Sequence, residues 1–352
     1  MFTFKKFLCV VLTLCMIACC SLPVLAVESG TSLSQQAPVE KYNKNGYYVT
    51  TVNVDAFRKA NMNSRSANVS STGLSVTDIE LMNVLGYDER SLQNMGQAEI
   101  ESLLNSSATI TTTSSYYHYD EGTDLTERIT KETYLQAQAT LSSRGSNDGS
   151  NAEVSSDGYF HIITSAAYQY PSSVNDEKGW YVFSGTFSFI GKMPKYRMTD
   201  AASLFADEVM WSQSSADSLS RMTYYYYVDS IEDETSHTQT KTTTDKYLYS
   251  DGLYYTWKLP GDTVNGDIYV QTVTDIEIYV RGVARVSDYT NYRAFNLFTK
   301  FEHSYSVLVI QPSFSWSYGA YPGVSADVNF ISKSNTYASL CEIDYNPSIY
   351  LV

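Results

Sequence analysis

Polar and apolar residues alternate in short runs from Ala108 to the C-terminus, and this alternation restricts the fold more than any other feature of the sequence. Successive side chains of a β-strand point to opposite faces, so a period of two indicates strands that bury one face. Turn residues such as Gly, Asn and Asp separate about ten such runs, as in all-β domains. The pattern predicts a mainly β domain over residues 108–352, an antiparallel β-sandwich or a barrel-like sheet. Two stretches inside it, residues 125–141 and 195–211, fit either a strand or a helix.

Residues 74–107 follow a helical spacing instead. Their apolar residues recur three and four positions apart, as on the buried face of a helix. Thr77 and Glu80 fit a capping box at the start of the first helix, and Gly86 supplies a C-terminal stop. We therefore predict a small helical hairpin ahead of the β domain.

The first 26 residues have the three parts of a secretory signal peptide: a basic start, an apolar run and small residues before the cleavage site. We expect cleavage after Ala26, no transmembrane segment in the mature chain, and an extracellular or cell-envelope location. An uncleaved membrane anchor and lipid attachment at Cys19 or Cys20 are the alternatives. Residues 27–73 follow as a polar lead-in and linker with one candidate strand.

Cysteine usage and charge restrict the classes of protein further. Only Cys341 lies outside the predicted leader, so the mature chain has no intramolecular disulfide and depends on its core for stability. We predict that Cys341 is a buried, unreactive thiol on the last strand. The formal net charge is −14, and an acidic surface of this kind argues against nucleic acid as a partner.

The sequence contains no motif that identifies catalysis or metal binding. There is no paired-histidine or paired-cysteine zinc motif and no G-x-S-x-G element of a serine hydrolase. Loops 144–158 and 260–267 are rich in Asp, Asn and Gly, but neither follows the calcium-binding order of an EF-hand, so turns explain them. We expect no metal or cofactor. The four histidines, each expected to be structural, are His118, His161, His237 and His303.

Tyrosine is unusually abundant, with 31 residues against 14 phenylalanines and 4 tryptophans. Tyr and Trp rings with their polar tips stack on sugars and anchor protein interfaces. In Tyr224–Tyr227 and Leu253–Trp257, alternation places rings on both faces of a strand, so one set could face away from the core. The alternative is that these rings fill the core. The rings predicted to form an exposed contact surface are Tyr225, Tyr227, Tyr255 and Trp257.

These features predict a secreted or cell-envelope protein that binds a glycan or a surface partner through a Tyr/Trp-rich face. With 38 acidic residues, a secreted hydrolase that cleaves polysaccharide through Asp and Glu is the alternative. A membrane-acting β protein that inserts residues 238–244 is disfavoured, because that run lacks alternating apolar residues.

Two segments carry a resemblance to known sequences. They are Leu85-Gly86-Tyr87 with the apolar positions up to Leu103, and Met193-Pro194-Lys195-Tyr196-Arg197 with Thr199-Asp200. Both resemble segments of uncharacterised exported proteins of Gram-positive bacteria. The resemblance implies export and carries no function with it.

Overall fold

The computed structural model describes most of the chain from Val39 onward, and the predicted leader lies outside the described residues. So do most of the Asp/Asn-rich loop at 144–158 and the side chains of the last three strands, including Cys341. The described ranges are 39–44, 47–61, 73–120, 125–144, 158–169, 180–193, 199–207, 209–230, 234–248, 252–265, 269–286, 294–304, 314–318, 324–328 and 334–344.

The described residues form five α-helices, one short 3-10 helix (Ser215–Asp217) and eighteen strands. The helices are α1 (Val54–Asn61), α2 (Val76–Val84), α3 (Glu89–Met95), α4 (Gln97–Ser106) and α5 (Lys131–Arg144). The strands of the first half are β1 (Val39–Lys44), β2 (Tyr47–Asn53), β3 (Ser107–Asp120), β4 (Leu125–Ile129), β5 (Gly158–Gln169), β6 (Trp180–Gly191), β7 (Thr199–Ala206), β8 (Val209–Trp211) and β9 (Ser218–Ser230). Those of the second half are β10 (Glu234–Thr243), β11 (Tyr247–Leu248), β12 (Gly252–Lys258), β13 (Thr263–Asn265), β14 (Tyr269–Val286), β15 (Ala294–Ser304), β16 (Phe314–Tyr318), β17 (Val324–Val328) and β18 (Ser334–Asp344).

The strands form antiparallel sheets, as the alternation predicts. The largest sheet has eleven strands with the main order β1-β2-β3-β5-β6-β14-β9-β10, and β4, β8 and β13 pair at its margins. A five-stranded sheet has the order β11-β12-β7-β15-β18, and β16 pairs with β17. Neither of the two larger sheets closes on itself among the described strands, so the sandwich form of the prediction is confirmed and the barrel-like form is not.

The core lies between the two larger sheets. Phe160 of β5 packs against Phe189 of β6, with ring centroids 4.3 Å apart, and against Phe301 of β15 at 5.5 Å. Burying a ring of this size stabilises the fold by about 1.5–3 kcal/mol. The same cluster takes in Leu204 and Leu253 of the five-stranded sheet. Aromatic packing between the sheets is therefore a main source of stability for this part of the fold.

The four helices α1–α4 cover the other face of the eleven-stranded sheet. Leu81, Met82 and Ile100 pack with Ile163 of β5 and Tyr279 of β14 in a second apolar cluster. The molecule therefore has three layers: helices, the large sheet and the small sheet. In the described residues, no helix is long and apolar enough to cross a membrane.

Local signals account for most of the helix boundaries. Ser75, not Thr77, caps α2, because the Ser75 side chain accepts a hydrogen bond from the Asp78 amide at 3.1 Å. The predicted Thr77–Glu80 capping box is therefore wrong, since both residues lie inside the helix. Gly86 follows α2 at φ +100°, a backbone conformation that glycine adopts readily, as its predicted role as a stop requires.

Three other assignments needed the structure. The candidate strand at residues 47–57 ends at Asn53. The Asn53 side chain accepts a hydrogen bond from the Ala56 amide at 2.8 Å and so caps the N-terminus of α1. Residues 125–141 divide into β4 and α5, and residues 195–211 contain β7 and β8 rather than a helix. Cys341 does lie on the last strand, opposite Leu297.

Candidate functional site

Two of the four predicted contact residues lie in the core. Tyr255 is 0% exposed and Trp257 is 8% exposed, and both belong to the cluster between the sheets. Trp257 Nε1 donates to Ser220 Oγ at 2.8 Å, which satisfies the indole while it is buried. Burial raises the pKa of Tyr255 to about 12. The prediction that these rings are exposed is wrong, because their face of β12 packs against the large sheet.

The other two predicted residues, Tyr225 and Tyr227, are half-buried on the helix-facing side of β9. The Arg90 guanidinium carbon lies 5.3 Å from the centroid of the Tyr225 ring. The Tyr225 hydroxyl donates to Gln93 Oε1 at 3.2 Å. Helix α3 therefore covers part of Tyr225, and these two rings do not form a broad platform with Tyr255 and Trp257.

A row of polar side chains crosses the large sheet beneath the helices, one on each of five neighbouring strands. Cross-strand pairing sets them side by side, and each is buried. The alternation of Asp275, Glu277, Tyr279 and Arg281 with Ile276, Ile278 and Val280 indicates by itself only a half-buried strand, with its polar side facing outward. We call these residues the polar row: Tyr116 (β3), His161 (β5), Ser188 (β6), Glu277 (β14) and Thr223 (β9).

Glu277 is the buried acid of the polar row, at 1% exposure. Ser188 Oγ donates to Glu277 Oε2 at 2.7 Å. Burial raises the pKa of Glu277 well above its ordinary value, and the nearby Asp88 carboxylate raises it further. These effects favour the protonated, neutral form of the carboxyl.

Ion pairs join the helices to the same face of the sheet. Arg90 of α3 pairs with Asp275 of β14, next to Glu277 on that strand. Burial raises the pKa of Asp275, and the Arg90 charge opposes this rise. Further along β14, Arg281 pairs with Glu99 of α4 at 2.8 Å. Helices α3 and α4 are thus held by charge as well as by apolar packing.

His161 packs against two tyrosine rings, which also contact each other. The Tyr116 ring stacks on it at a centroid distance of 4.4 Å, and the Tyr134 ring of α5 lies 5.3 Å away. Burial lowers the pKa of His161 to about 4, with Asp88 acting in the opposite direction. Within the described part of the chain, neither His161 Nε2 nor the Tyr134 hydroxyl has a hydrogen-bond partner.

Tyr48 lines two clefts close to the start of α5. The larger has a volume of about 410 Å³ and the smaller about 200 Å³. The Tyr48 hydroxyl accepts a hydrogen bond from the Lys131 amide at 3.1 Å. Tyr116 of the polar row lines the smaller cleft, which contains Lys41 and Lys131 as well. The larger cleft, called the Tyr48 cleft below, is lined by Asn43, Tyr48, Glu127, Arg128, Ile129, Thr130 and Thr133.

Other buried ionisable side chains form pairs away from the polar row and the Tyr48 cleft. His303 Nδ1 lies 2.9 Å from Asp200 Oδ2 in the core, and Lys300 Nζ lies 3.5 Å from Glu302 Oε2. No group of three or more potential metal ligands occurs among the described residues. The structure therefore brings His161 and Glu277 into one polar layer, and leaves His303 in a different one.

Local sequence patterns predict only part of the arrangement of the polar row and the Tyr48 cleft. Alternation placed Glu277 and Asp275 on one face of β14, but no local pattern joins them to His161, which is more than a hundred residues earlier. The Tyr48 cleft draws on β1, β2, β4 and the start of α5. Its assembly depends on the pairing of β3 with both β2 and β4.

In comparisons with known proteins, no protein-family model and no curated protein matches this sequence. Function is therefore inferred from the chemistry of the sites themselves.

Proposed function

We propose that this chain is an exported, non-enzymatic binding protein that holds a glycan, free or displayed on a surface partner, in the Tyr48 cleft. The observation that carries the proposal is the lining of this cleft. It combines one tyrosine ring with exposed amide, carboxylate, guanidinium and hydroxyl side chains. Sugar rings present apolar faces edged by hydroxyl groups, and such a lining offers partners for both.

The size of the cleft suits a small polar ligand. Its volume of about 410 Å³ falls within the range of about 300–1,000 Å³ that is usual for small-molecule sites. Asn43, Glu127 and Thr133 are exposed along its lining. A short stretch of saccharide can therefore reach these side chains without any change in the sheet.

The aromatic side of the cleft is held in place before a ligand arrives. The Tyr48 ring meets the Tyr116 ring edge-on at 5.7 Å, and the Tyr48 hydroxyl is fixed by the Lys131 amide. On strand β4, which pairs with β3 as β2 does, the Arg128 guanidinium lies 4.0 Å from the centroid of the Tyr47 ring. Side chains that are already ordered lose less entropy on binding, which favours affinity.

The distribution of carboxylates favours binding over hydrolysis. A glycosidase needs two carboxyl groups on either side of the scissile bond. Glu127 is the one carboxylate among the described residues that line the Tyr48 cleft. Glu277 and Asp275 lie close together, but both are buried beneath α3 and are paired with Ser188 and Arg90. A polysaccharide chain has no route to that pair while the helices are in place.

The test is retention on polysaccharides and cell-wall preparations by the purified mature protein, with released sugars measured in the same samples. We expect retention on at least one preparation without release of sugar. The double variant Asn43→Ala/Glu127→Ala should lose that retention, because both side chains are exposed in the cleft. Gln136→Ala, at an exposed position on α5 outside the cleft lining, is the matched control and should bind as the wild type does.

Two results would contradict the proposal. Release of sugar by the wild-type protein would favour the hydrolase alternative. Unchanged retention in the double variant would show that the ligand binds outside the Tyr48 cleft. The variants Tyr225→Ala and Tyr227→Ala would then test whether it binds at the half-buried rings of β9.

A further inference from the structure

Helix α5 is held against the sheet by very little apolar contact. Among its described side chains, residues 131–141, Tyr134 alone is buried, and Leu135 is 47% exposed. Hydrogen bonds also link the helix to other elements: the Lys131 amide donates to the Tyr48 hydroxyl at 3.1 Å, and Gln138 Nε2 donates to Asp88 Oδ2 at 3.1 Å. Elements with few buried contacts open at low free energy, before the rest of a domain unfolds.

The one fully buried side chain among those described on α5 lies against the polar row, and the half-buried Leu141 packs against the same cluster. Tyr134 is 2% exposed, with its ring 5.0 Å from Tyr116 and 5.3 Å from His161. Its hydroxyl has no hydrogen-bond partner among the described residues. Burial therefore gains the apolar contacts of the ring but leaves a polar group desolvated, which weakens the anchor.

The neighbours of His161 provide little stabilisation for a positively charged imidazolium. The neighbours from β3 and α5 are the Tyr116 and Tyr134 rings, and from β6 the cross-strand partner Ser188. Two charged groups act on His161 from further away: Asp88 at the start of α3 and Lys131 of α5. The acid Glu277 lies two strands away in the polar row.

Asp88 is the one group known to favour a charged His161 here, and its oxygens are already engaged. Asp88 Oδ1 accepts from the Ser91 amide at 2.9 Å, and Oδ2 accepts from Gln138. Lys131 acts against the charge. A proton on His161 would thus place a charge beside two rings, with its Nε2 facing no acceptor among the described residues.

We propose that α5 is a pH-sensitive lid: protonation of His161 expels Tyr134 from the polar row and releases α5, while the two-sheet core stays folded. Detachment admits water to the imidazole, which relieves the desolvation of its charged form. Both clefts beside Tyr48 include residues at the start of α5, so release of the lid would change their shape. That consequence for ligand binding rests on the proposed function, whereas the opening itself does not.

The sign and range of the pH effect follow from His161. Burial lowers its pKa from 6.5 to about 4 in the docked state. The docked state is therefore most stable above pH 6.5, and it loses stability as the pH falls through this interval. One group shifted by this amount changes the docking equilibrium on the order of a hundredfold between neutral pH and pH 4.

Hydrogen–deuterium exchange of the ligand-free protein tests the lid directly. After correction for intrinsic exchange rates, the amides of residues 131–144 should lose protection between pH 6.5 and 4, while those of β5 and β6 keep theirs. His161→Phe keeps a ring on Tyr116 and removes the titrating group, so α5 should stay protected at pH 4. His237→Phe, at an exposed histidine on β10, is the matched control and should behave as the wild type.

The proposal is wrong if α5 in His161→Phe loses protection as the wild type does, or if α5 and β6 lose protection together. A second variant guards against misfolding of the first. In Tyr134→Ala, α5 should already be unprotected at pH 7 while β5 and β6 remain protected. Wild-type protection of α5 in that variant would also overturn the proposal. Because no ligand is used, failure here leaves the binding function to be judged by the retention assay alone.

Discussion

Ser188 Oγ donates a hydrogen bond of 2.7 Å to Glu277 Oε2 beneath helix α3, and both side chains are 1% exposed. This bond satisfies one oxygen of a carboxyl group that burial and the Asp88 charge keep towards its neutral form. Glu277 and His161 respond to pH in opposite directions, although they belong to the same polar row. The helix-covered face of the large sheet therefore contains two buried groups whose charge depends on pH.

Glu277→Gln should stabilise the fold, and the gain should grow with pH. Because the folded-state pKa of Glu277 is raised, its contribution to stability is fully present below about pH 4.5 and is lost as the pH rises. Glutamine keeps an oxygen that accepts from Ser188 and has no proton to lose. We expect the free energy of unfolding to rise by about 1–3 kcal/mol at pH 8 and to change little at pH 4.5.

Urea denaturation at the two pH values measures this difference. Glu127→Gln, an exposed position in the Tyr48 cleft, is the control and should leave the unfolding free energy unchanged at both. An equal gain from Glu277→Gln at pH 4.5 and pH 8 would show that burial does not bias the charge of Glu277.

The sequence predicted the faces of β14 but not their surroundings. Ile276 and Ile278 point into the core as alternation requires, and Glu277 lies on the opposite side. Alternation reports which residues share a face, and only the packing of another layer decides whether that face meets water. Helices α3 and α4 cover it, so a strand with a polar face is buried on both sides.

The wrong prediction that Tyr255 and Trp257 of β12 are exposed has the same cause: alternation does not show which layer covers a face. Tyr255 and Trp257 do share a face, as the spacing of two requires, but that face points to the large sheet. A tyrosine or tryptophan can lie in a core when its polar atom finds a partner, and Trp257 finds Ser220. Such partners come from another strand, so no window of local sequence contains them.

The pair formed by Glu99 and Arg281 should contribute measurably to the attachment of α4. Arg281 Nη1 donates to both carboxylate oxygens of Glu99, and the Tyr279 hydroxyl donates to Glu99 Oε1 at 3.2 Å. Glu99→Gln leaves the Arg281 charge largely buried without its counter-ion. Removing one partner of a fully buried pair costs about 3–5 kcal/mol, and we expect about 2 kcal/mol for this partly exposed one.

A double-mutant cycle with Arg281→Met isolates the pair, and urea denaturation supplies the four free energies. The control is Glu101→Gln on the solvent side of α4, which should change stability by no more than about 0.5 kcal/mol. Additive effects of the two substitutions would mean that the ion pair does not stabilise the helix layer.

Export with removal of the leader is a prediction of the sequence alone. Protein collected from the culture medium should have the intact mass of a chain that begins at Val27. A full-length product that sediments with membranes would favour an uncleaved anchor. A lipid-bearing mass with Cys19 or Cys20 at the N-terminus would favour lipoprotein processing instead.

Trp257→Ala should destabilise the protein without acting through a binding surface. The indole lies between the two sheets, and its loss leaves a cavity and removes the hydrogen bond that Ser220 Oγ accepts, while Ser220 Oγ still donates to the Tyr279 carbonyl at 3.0 Å. Replacing a buried Trp or Phe by Ala costs about 3–5 kcal/mol, so thermal unfolding should occur many degrees lower. Lys258→Ala, the exposed neighbour on β12, is the control and should leave the melting temperature nearly unchanged.

Any glycan retained by the wild type should still bind to folded Trp257→Ala at low temperature, because the Tyr48 cleft does not include this ring. Loss of retention in the folded variant, with an unchanged melting temperature, would instead place Trp257 at the ligand.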